Sequence, residues 1–214
     1  MNNFSPNMLK TFDECQHKFF LKYIEKISLP QRSNIFEKGK KIHALANYYL
    51  QGANIEKLEN ALSIDEKATW ESLKSNKYFK LNVVNTEYNL SCRIDNYWVG
   101  GRLDAFVSDN QDYIILDYKT GNIPQNAEGD FQTIVYLLCT DKLLKGKYSS
   151  LKFIYLGLKI NTEKEILLTN DLKKQYEEKI KTTCKNIDFA INSTVFTKSK
   201  TCKTCEYKKI CNGN

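Results

Sequence analysis

An acidic residue and a lysine stand two positions apart, directly after a hydrophobic run. Residues 113–116 are apolar or aromatic, and two of them are β-branched, which favours a buried strand. Asp117 and Lys119 follow at i and i+2, so their side chains point to the same face of that strand. Because burying an unpaired charge is costly, this placement indicates a functional constraint. Taken alone, the pair is equally compatible with a solvated, exposed strand end.

A second carboxylate, Asp104, lies inside another strand-like run at residues 100–107. The polar segment 108–112 between the two runs has the length of a hairpin connection. Such a hairpin would bring Asp104 beside Asp117. Two carboxylates and a backbone carbonyl group form a hard oxygen site for Mg²⁺ or Mn²⁺. A lysine beside that site would orient a water molecule and stabilise the charge of a phosphoryl transition state.

Three patterns around these residues resemble the core of the PD-(D/E)XK nucleases. In chain order they are G-x-x-D ending at Asp104, D-x-K-T-G starting at Asp117, and Q-x-x-x-Y from Gln132 to Tyr136. The combination is closest to the RecB-like branch, which includes CRISPR-associated exonucleases and bacterial recombination nucleases. The resemblance implies an α/β fold with a restriction-endonuclease-like core, in which a mixed central sheet is flanked by helices.

The resemblance also implies a function and a metal site. We expect a deoxyribonuclease that uses Mg²⁺ or Mn²⁺ to hydrolyse phosphodiester bonds. One expected ligand is a histidine on an early amphipathic helix, in a G-x-x-x-H pattern; without the resemblance, such a histidine is more often structural or exposed. The implied metal ligands are His43, Asp104, Asp117 and the carbonyl group of Tyr118.

Further catalytic roles follow from the same resemblance. Lys119 would position the attacking water, while Gln132 and Tyr136, neighbours on one helical face, would align the DNA strand. Without the resemblance, an ordinary amphipathic helix explains the Gln132–Tyr136 pair. Glu87 lies in an expected strand at residues 81–90, where related enzymes often carry a glutamate. A solvated strand carboxylate is an equal alternative for this residue.

Seven cysteines in a chain without an export signal argue against a disulfide framework. Cys202, Cys205 and Cys211 form a C-x₂-C-x₅-C pattern, and a tetrahedral metal or cluster site needs a fourth ligand. The resemblance implies that Cys15 is this ligand and that the four thiols hold a 4Fe–4S cluster. The chain departs from the family in having glutamine after this cysteine, where proline is frequent. A zinc site that also uses His17 is the alternative. The other three cysteines fit small, buried apolar positions: Cys92, Cys139 and Cys184.

The length of 214 residues suits one well-cored domain, which we expect to span residues 1–214. Residues 1–30 and 195–214 would form the iron–sulfur clasp, and residues 81–168 the catalytic sheet core. No stretch is apolar enough to span a bilayer, and the first residues lack the apolar core of a signal peptide. We therefore expect a cytoplasmic protein without membrane contact.

The net charge of +7, from 32 basic and 25 acidic residues, favours a polyanionic partner. Lysine greatly outnumbers arginine, which does not suggest sequence readout through bidentate arginine contacts. The lysine-rich face of an expected helix at residues 171–191 would either follow a nucleic-acid backbone or simply be solvated. The resemblance implies an exonuclease acting on single-stranded DNA or DNA ends, beside a helicase, an integrase or a phage replication or recombination protein. The alternative is a catalytically weak nucleic-acid-binding or accessory protein of the same fold in a repair, recombination, phage or CRISPR complex.

Overall fold

The computed structural model describes residues 2–29, 34–159, 161–199, 202 and 205–211, with only the backbone of residues 34–38. In this part of the chain the helices are α1 Pro6–Glu14, α2 Gln16–Phe19, α3 Asn34–Leu50, α4 Glu56–Asn60, α5 Ile64–Lys74, α6 Phe131–Leu144, α7 Asn170–Ser193 and α8 Lys208–Cys211. A π-helical turn spans Phe20–Ile24, and a 3₁₀ turn spans Lys77–Lys80. The strands are β1 Asn3–Phe4, β2 Asn82–Ile94, β3 Tyr97–Asp109, β4 Asp112–Lys119, β5 Ser150–Gly157 and β6 Thr162–Leu167.

Within the described residues, the six strands form one mixed sheet. Its order is β1-β3-β4-β5-β6, and β2 pairs with β3. The pairs β2–β3, β3–β4 and β5–β6 are antiparallel, whereas β1–β3 and β4–β5 are parallel. The parallel step from β4 to β5 needs a crossover, and α6 provides it. The expected mixed α/β fold is confirmed.

The β3–β4 hairpin places the two aspartates of the motifs across from each other. Its register pairs Ala105 with Leu116, so Asp104 and Asp117 are the next positions along the two strands. The expected hairpin is therefore present. Its turn is shorter than the polar segment 108–112, because strand pairing continues up to a two-residue connection.

Helices cover both faces of the sheet, which explains the continuous hydrophobic run of β4. Ile115 lies in a core with residues of α1, α6 and α7, and Leu116 lies in a second core with residues of α3 and α5. Strands that are buried on both faces show unbroken apolar runs rather than alternation. Asp117, at the end of this run, is still buried between the two layers.

The start of α6 is fixed by a capping residue. Asp130 is the N-cap, and its carboxylate accepts a hydrogen bond of 2.9 Å from the backbone N–H of Gln132. The helix expected at residues 171–191 is confirmed as α7. In the described part of the chain, no helix is both long and apolar enough to cross a membrane.

Candidate active site and metal centre

The end of β4 holds the acid and the lysine in direct contact. The distance between Lys119 Nζ and Asp117 Oδ2 is 2.7 Å. The carboxylate side chain is 4% exposed and the lysine side chain 26%, so the lysine forms the solvent side of the pair. Lys119 also donates a hydrogen bond of 2.8 Å to Gln132 Oε1, and Gln132 Nε2 donates to Asp117 Oδ1. Gln132 therefore holds both members of the pair in place.

A second group of ligand atoms lies next to this pair. His43 of α3, Glu87 of β2 and Asp104 of β3 each bring one ligand atom within 4.8 Å of the other two. Carboxylate oxygens are suitable ligands for Mg²⁺ or Mn²⁺, whereas an imidazole nitrogen is more typical of transition-metal sites. The donor set thus fits a divalent cation. Asp117, whose carboxylate faces the lysine, lies outside this three-residue group in the described part of the chain.

His43 links Asp104 to the end of β4. Its Nδ1 lies 3.1 Å from Asp104 Oδ1, and its Nε2 lies 2.9 Å from the carbonyl oxygen of Tyr118. The backbone N–H of Tyr118 donates a further hydrogen bond of 2.9 Å to Asp104 Oδ2. An imidazolium donates to both acceptors, whereas a neutral imidazole donates to one. The pKa of His43 is raised accordingly: burial alone would lower it, but the hydrogen bond and charge of Asp104 outweigh burial.

Glu87 reaches the site with an unusual backbone conformation. Its φ of 48° is left-handed, which is uncommon for a non-glycine residue inside a strand. Such conformations persist where the surroundings impose them, and they are frequent at functional sites. Arg102 pairs with its carboxylate, with 2.7 Å between Nε and Oε2. Burial raises the pKa of Glu87, Arg102 opposes this shift and Asp104 adds to it.

Acidic groups are crowded at this end of the sheet. Burial, reinforced by Asp104 and opposed by Lys119, raises the pKa of Asp117 to about 6. The pKa values of Glu87 and His43 are raised as well. Closely spaced carboxylates that resist ionisation are typical of functional sites. A cation bound among them would offset the negative charge that contributes to these shifts.

The raised pKa of Asp117 predicts a pH-dependent stability. The carboxyl has an ordinary value of 3.8, as in an unfolded chain, and a value of about 6 in the folded protein. Because the folded state holds the proton more tightly, the stability that this carboxyl contributes is fully present below about pH 4 and is lost as the pH rises through about 6. In EDTA, Asp117→Asn should gain stability relative to the wild type as the pH rises through this window, by up to about 3 kcal/mol for a pKa raised from 3.8 to about 6.

Urea unfolding of both proteins between about pH 4 and 8 measures this difference. An Asp112→Asn variant, changed at the exposed start of the same strand, measures the pH response of the rest of the protein. A stability difference between Asp117→Asn and the wild type that does not change with pH would contradict the prediction.

Tyr136 joins the Q-x-x-x-Y helix to the G-x-x-D strand. It is 5% exposed, and its hydroxyl donates a hydrogen bond of 2.7 Å to the carbonyl oxygen of Arg102. A Cβ on Gly101 would lie 2.9 Å from Cε1 and 3.0 Å from the hydroxyl oxygen of Tyr136. Gly101 therefore permits the close approach of α6 to β3, three residues before Asp104. These contacts give Tyr136 a positioning role, while its alignment of a DNA strand remains a prediction.

Gly101→Ala should lower the free energy of unfolding by about 1–3 kcal/mol, the usual cost of forcing an extra carbon into a packed site. Gly121→Ala is the matched control, because a Cβ added at Gly121 would meet no atom within 4 Å. This control should change stability by no more than about 0.5 kcal/mol. Urea unfolding of the two variants provides the comparison, and equal effects would show that Tyr136 does not constrain Gly101.

The four cysteines of the expected cluster line one small cavity together with His17. Cys211 Sγ lies 3.4 Å from His17 Nδ1. Among the residues that the structure describes, no three of these thiol and imidazole groups lie within 4.8 Å of one another. The remaining cysteines are buried as expected: Cys92, Cys139 and Cys184.

The two ends of the chain also contact each other directly. The hydroxyl group of Tyr207 donates a hydrogen bond of 2.9 Å to the carbonyl oxygen of Ile27. The backbone N–H of His17 donates to the carbonyl oxygen of Thr197 at 3.0 Å, and the N–H of Thr197 donates to Gln16 Oε1 at 3.1 Å. The cysteine cavity is thus built where the N-terminal and C-terminal segments already pair.

A family model identifies the superfamily. The model of the PD-(D/E)XK nuclease superfamily matches residues 3–81 and 67–212, which together span nearly the whole chain. This chain belongs to the PD-(D/E)XK nuclease superfamily. The comparison with curated proteins gave no match.

Two solved structures are similar to this chain. The crystal structure of a candidate exonuclease from Eubacterium rectale covers 100% of this chain and 88% of its own, with a TM-score of 0.63 and 11% sequence identity. At this identity the similarity shows the fold alone. The crystal structure of SSO0001 covers 99% of this chain and 86% of its own, with a TM-score of 0.47 and 17% identity.

The candidate site at the end of β4 contains most of the active-site residues that the sequence analysis selected, together with one that it did not. Arg102 lies two positions before Asp104, on the same face of β3, and its pairing with Glu87 had no role in the sequence analysis. Its position within the G-x-x-D motif was the available signal. The predicted residues that meet at the site are His43, Glu87, Asp104, Asp117, Tyr118, Lys119 and Gln132.

Proposed function

We propose that the protein is a metal-dependent deoxyribonuclease of the RecB-like branch, acting as an exonuclease on single-stranded DNA or DNA ends. The observation that supports this proposal most strongly is that two sets of side chains lie next to each other at one end of the sheet. One is the set of three potential cation ligands, and the other is a lysine held against a buried carboxylate. A binding protein without turnover would not require the second group. The net charge of +7 also favours a polyanionic substrate.

Under this proposal the cation is held by this chain's carboxylates and imidazole. His43, Glu87 and Asp104 would be ligands, since their donor atoms already converge. Asp117 and the carbonyl oxygen of Tyr118 would be further oxygen donors beside them, as the family resemblance implies. When bound, Mg²⁺ or Mn²⁺ would lower the pKa of a bound water and neutralise charge on the phosphate.

Lys119 would orient the attacking water and offset the negative charge that develops on the phosphoryl oxygens. Its Nζ is fixed by Asp117 Oδ2 and Gln132 Oε1, so the ammonium needs little reorganisation during the reaction. Gln132 in turn is fixed at the first turn of α6 by the capping carboxylate of Asp130. These contacts make Gln132 a positioning residue for the lysine.

We also propose that Cys15, Cys202, Cys205 and Cys211 hold a 4Fe–4S cluster, with zinc as the alternative metal. Support comes from the cavity that these thiols line and from the hydrogen bonds between the two chain ends. The cluster would be a structural element remote from hydrolysis, because the proposed chemistry at Lys119 needs no electron transfer. Its bearing on stability is testable separately from cleavage.

The proposed biological context is DNA processing beside a helicase, an integrase or a phage replication or recombination protein. The test of the proposed function is digestion of end-labelled linear single- and double-stranded DNA and of circular single-stranded DNA. With Mn²⁺ or Mg²⁺, linear single strands should be shortened from an end and circles should persist; with EDTA neither should change. Equal cleavage of circles would contradict exonuclease action. Binding without cleavage under all conditions would support the accessory-protein alternative.

A further inference from the structure

The β2–β3 hairpin has one buried face and one exposed face beyond the point where β4 ends. Residues of the buried face alternate along both strands and pack in the core: Leu90, Cys92, Ile94, Tyr97 and Val99. Because side chains alternate across a strand, the intervening residues point the other way. They are Asn89, Ser91, Arg93, Trp98, Gly100 and Arg102, and we call this exposed face the hairpin track.

The hairpin track continues directly from the metal centre. The register pairs Asn89 with Arg102, and then Ser91 with Gly100 further along. The next pair is Arg93 with Trp98. In the opposite direction along the same strands, Glu87 lies two residues before Asn89 and Asp104 lies two residues after Arg102. These two residues are the proposed carboxylate ligands of the metal centre. From Asp104 to Trp98 the strand spans roughly 20 Å at about 3.3 Å per residue.

The side chains of this track suit a single-stranded polynucleotide. The side chain of Arg102 is 64% exposed, and its Nε lies 2.7 Å from Glu87 Oε2. The planar, positively charged guanidinium group of Arg102 therefore lies at the edge of the metal centre. Trp98 is 49% exposed at the far end. Arg93 adds a second positive charge, held against the turn by hydrogen bonds of 2.8 Å to the carbonyl oxygen of Asp95 and 3.3 Å to Asn96 Oδ1. Sites for single strands combine such cations with aromatic rings on which bases stack.

The lysine-rich face of α7 is a weaker candidate for the same role. Lys173 lies 2.6 Å from the buried carboxylate of Asp141, and Lys179 donates a hydrogen bond of 2.8 Å to the carbonyl oxygen of Gly129. These lysines are engaged in holding α7 to the rest of the fold. The charges of the hairpin track, in contrast, lie in line with the proposed scissile position.

We propose that the hairpin track binds the single-stranded DNA on which the metal centre acts, with Arg102 contacting the backbone next to the cut and a base stacking on Trp98. This inference rests on the proposed function and extends it by naming the path of the strand. The hairpin track is long enough for a few nucleotides, and this binding mode requires no base-specific hydrogen bonds. The protein should therefore bind single strands with little sequence preference.

The chain itself supplies a reporter for this binding. It has two tryptophans, and Trp70 is 0% exposed, so a bound base can reach Trp98 and not Trp70. Titration with oligodeoxythymidylate in EDTA should quench the tryptophan fluorescence of the wild type. In Trp98→Leu, anisotropy of a fluorescein-labelled oligonucleotide should show roughly 5- to 150-fold weaker binding, the range that corresponds to about 1–3 kcal/mol of stacking.

Two further variants sharpen the test. Arg102→Ala should weaken binding and reduce the log–log salt slope by about 0.7, the value for one phosphate contact on a single strand. Phe189→Ala is the matched control for Trp98→Leu. Phe189 is an exposed aromatic residue of α7, at 74% exposure, and the adjacent Asp188 accepts a hydrogen bond from the hydroxyl group of Tyr97 on the buried face of the hairpin. This control should bind DNA as the wild type does.

Cleavage in Mn²⁺ separates the inference from the proposed function. If DNA is cleaved, Trp98→Leu should raise KM more than it lowers kcat. Cleavage together with unquenched fluorescence and wild-type affinity in Trp98→Leu would overturn the hairpin track and leave the nuclease proposal standing. Quenching and weakened binding without any cleavage would support the track and contradict the nuclease proposal. Absence of both binding and cleavage in the wild type would overturn both.

Discussion

Lys119→Met should lower the rate of DNA hydrolysis by roughly 10²–10³-fold or more, the usual effect of removing a preorganised electrostatic group from an active site. Methionine retains an unbranched apolar chain but has no charge to offset that of the reacting phosphate. The contacts of Lys119 to Asp117 and Gln132 involve Nζ alone, so the substitution removes them together with the charge. Single-turnover cleavage of end-labelled single-stranded DNA in Mn²⁺ measures the rate.

Lys152→Met provides the control for this substitution. Lys152 lies on β5 and pairs with Glu165 at 2.8 Å, outside the contacts of the metal centre. The Lys152→Met variant should cleave DNA at the wild-type rate. Thermal unfolding verifies that both variants fold, and Asp104→Ala and Asp117→Ala should show losses similar to that of Lys119→Met. Cleavage by Lys119→Met at the wild-type rate would contradict the proposed role of the lysine.

Cys202→Ser should remove the iron–sulfur colour and lower the free energy of unfolding by up to about 5 kcal/mol. A cluster that joins Cys15 to the C-terminal cysteines closes a loop of nearly the whole chain, and restricting so long an unfolded loop has about this effect in the entropic model for disulfides. Protein purified without oxygen should be brown and should bleach with dithionite. The same losses are expected for Cys15→Ser, Cys205→Ser and Cys211→Ser, measured by visible absorbance and chemical unfolding.

Cys184→Ala is the control for the cluster variants, because Cys184 is 0% exposed within the core. It should lose some packing but keep the colour. Colourless anaerobic protein with one zinc ion per chain would contradict the cluster and leave the nuclease site unaffected. Full colour in Cys15→Ser would show that another residue is the fourth ligand, and His17, 3.4 Å from Cys211, would then be the first to test.

The parts of the site that depend on local sequence were predictable. The hydrophobic run of β4 fixes where Asp117 and Lys119 lie, and a hairpin of short connection brings Asp104 across from them. Asp130, a residue type that favours helix starts, caps α6 and so places Gln132 in the first turn of the helix, beside β4. In each case the determining interactions span few residues.

The parts that depend on distant pairing could not be derived from local patterns; only the family resemblance indicated Glu87 and the meeting of Cys15 with the C-terminal cysteines. Glu87 becomes a candidate ligand because β2 pairs with β3 in a particular register and because its φ is left-handed, and neither property is visible in a strand pattern. The contact of Arg102 with Glu87 follows from the same register. Strand β1 has two residues and pairs with β3 far along the chain, so no local pattern indicates it. The cavity between the chain ends likewise arises from contacts across almost the full length of the sequence.

The central claim is that His43, Glu87 and Asp104 hold a divalent cation beside the Asp117–Lys119 pair. The most direct measurement is an anomalous difference map from crystals of the protein grown with Mn²⁺, with data collected above the manganese absorption edge. The account predicts a strong peak in contact with His43, Glu87 and Asp104, and loss of that peak in crystals of Glu87→Gln/Asp104→Asn. A map without a peak among these three residues, from protein that cleaves DNA in the same Mn²⁺ buffer, would contradict the account.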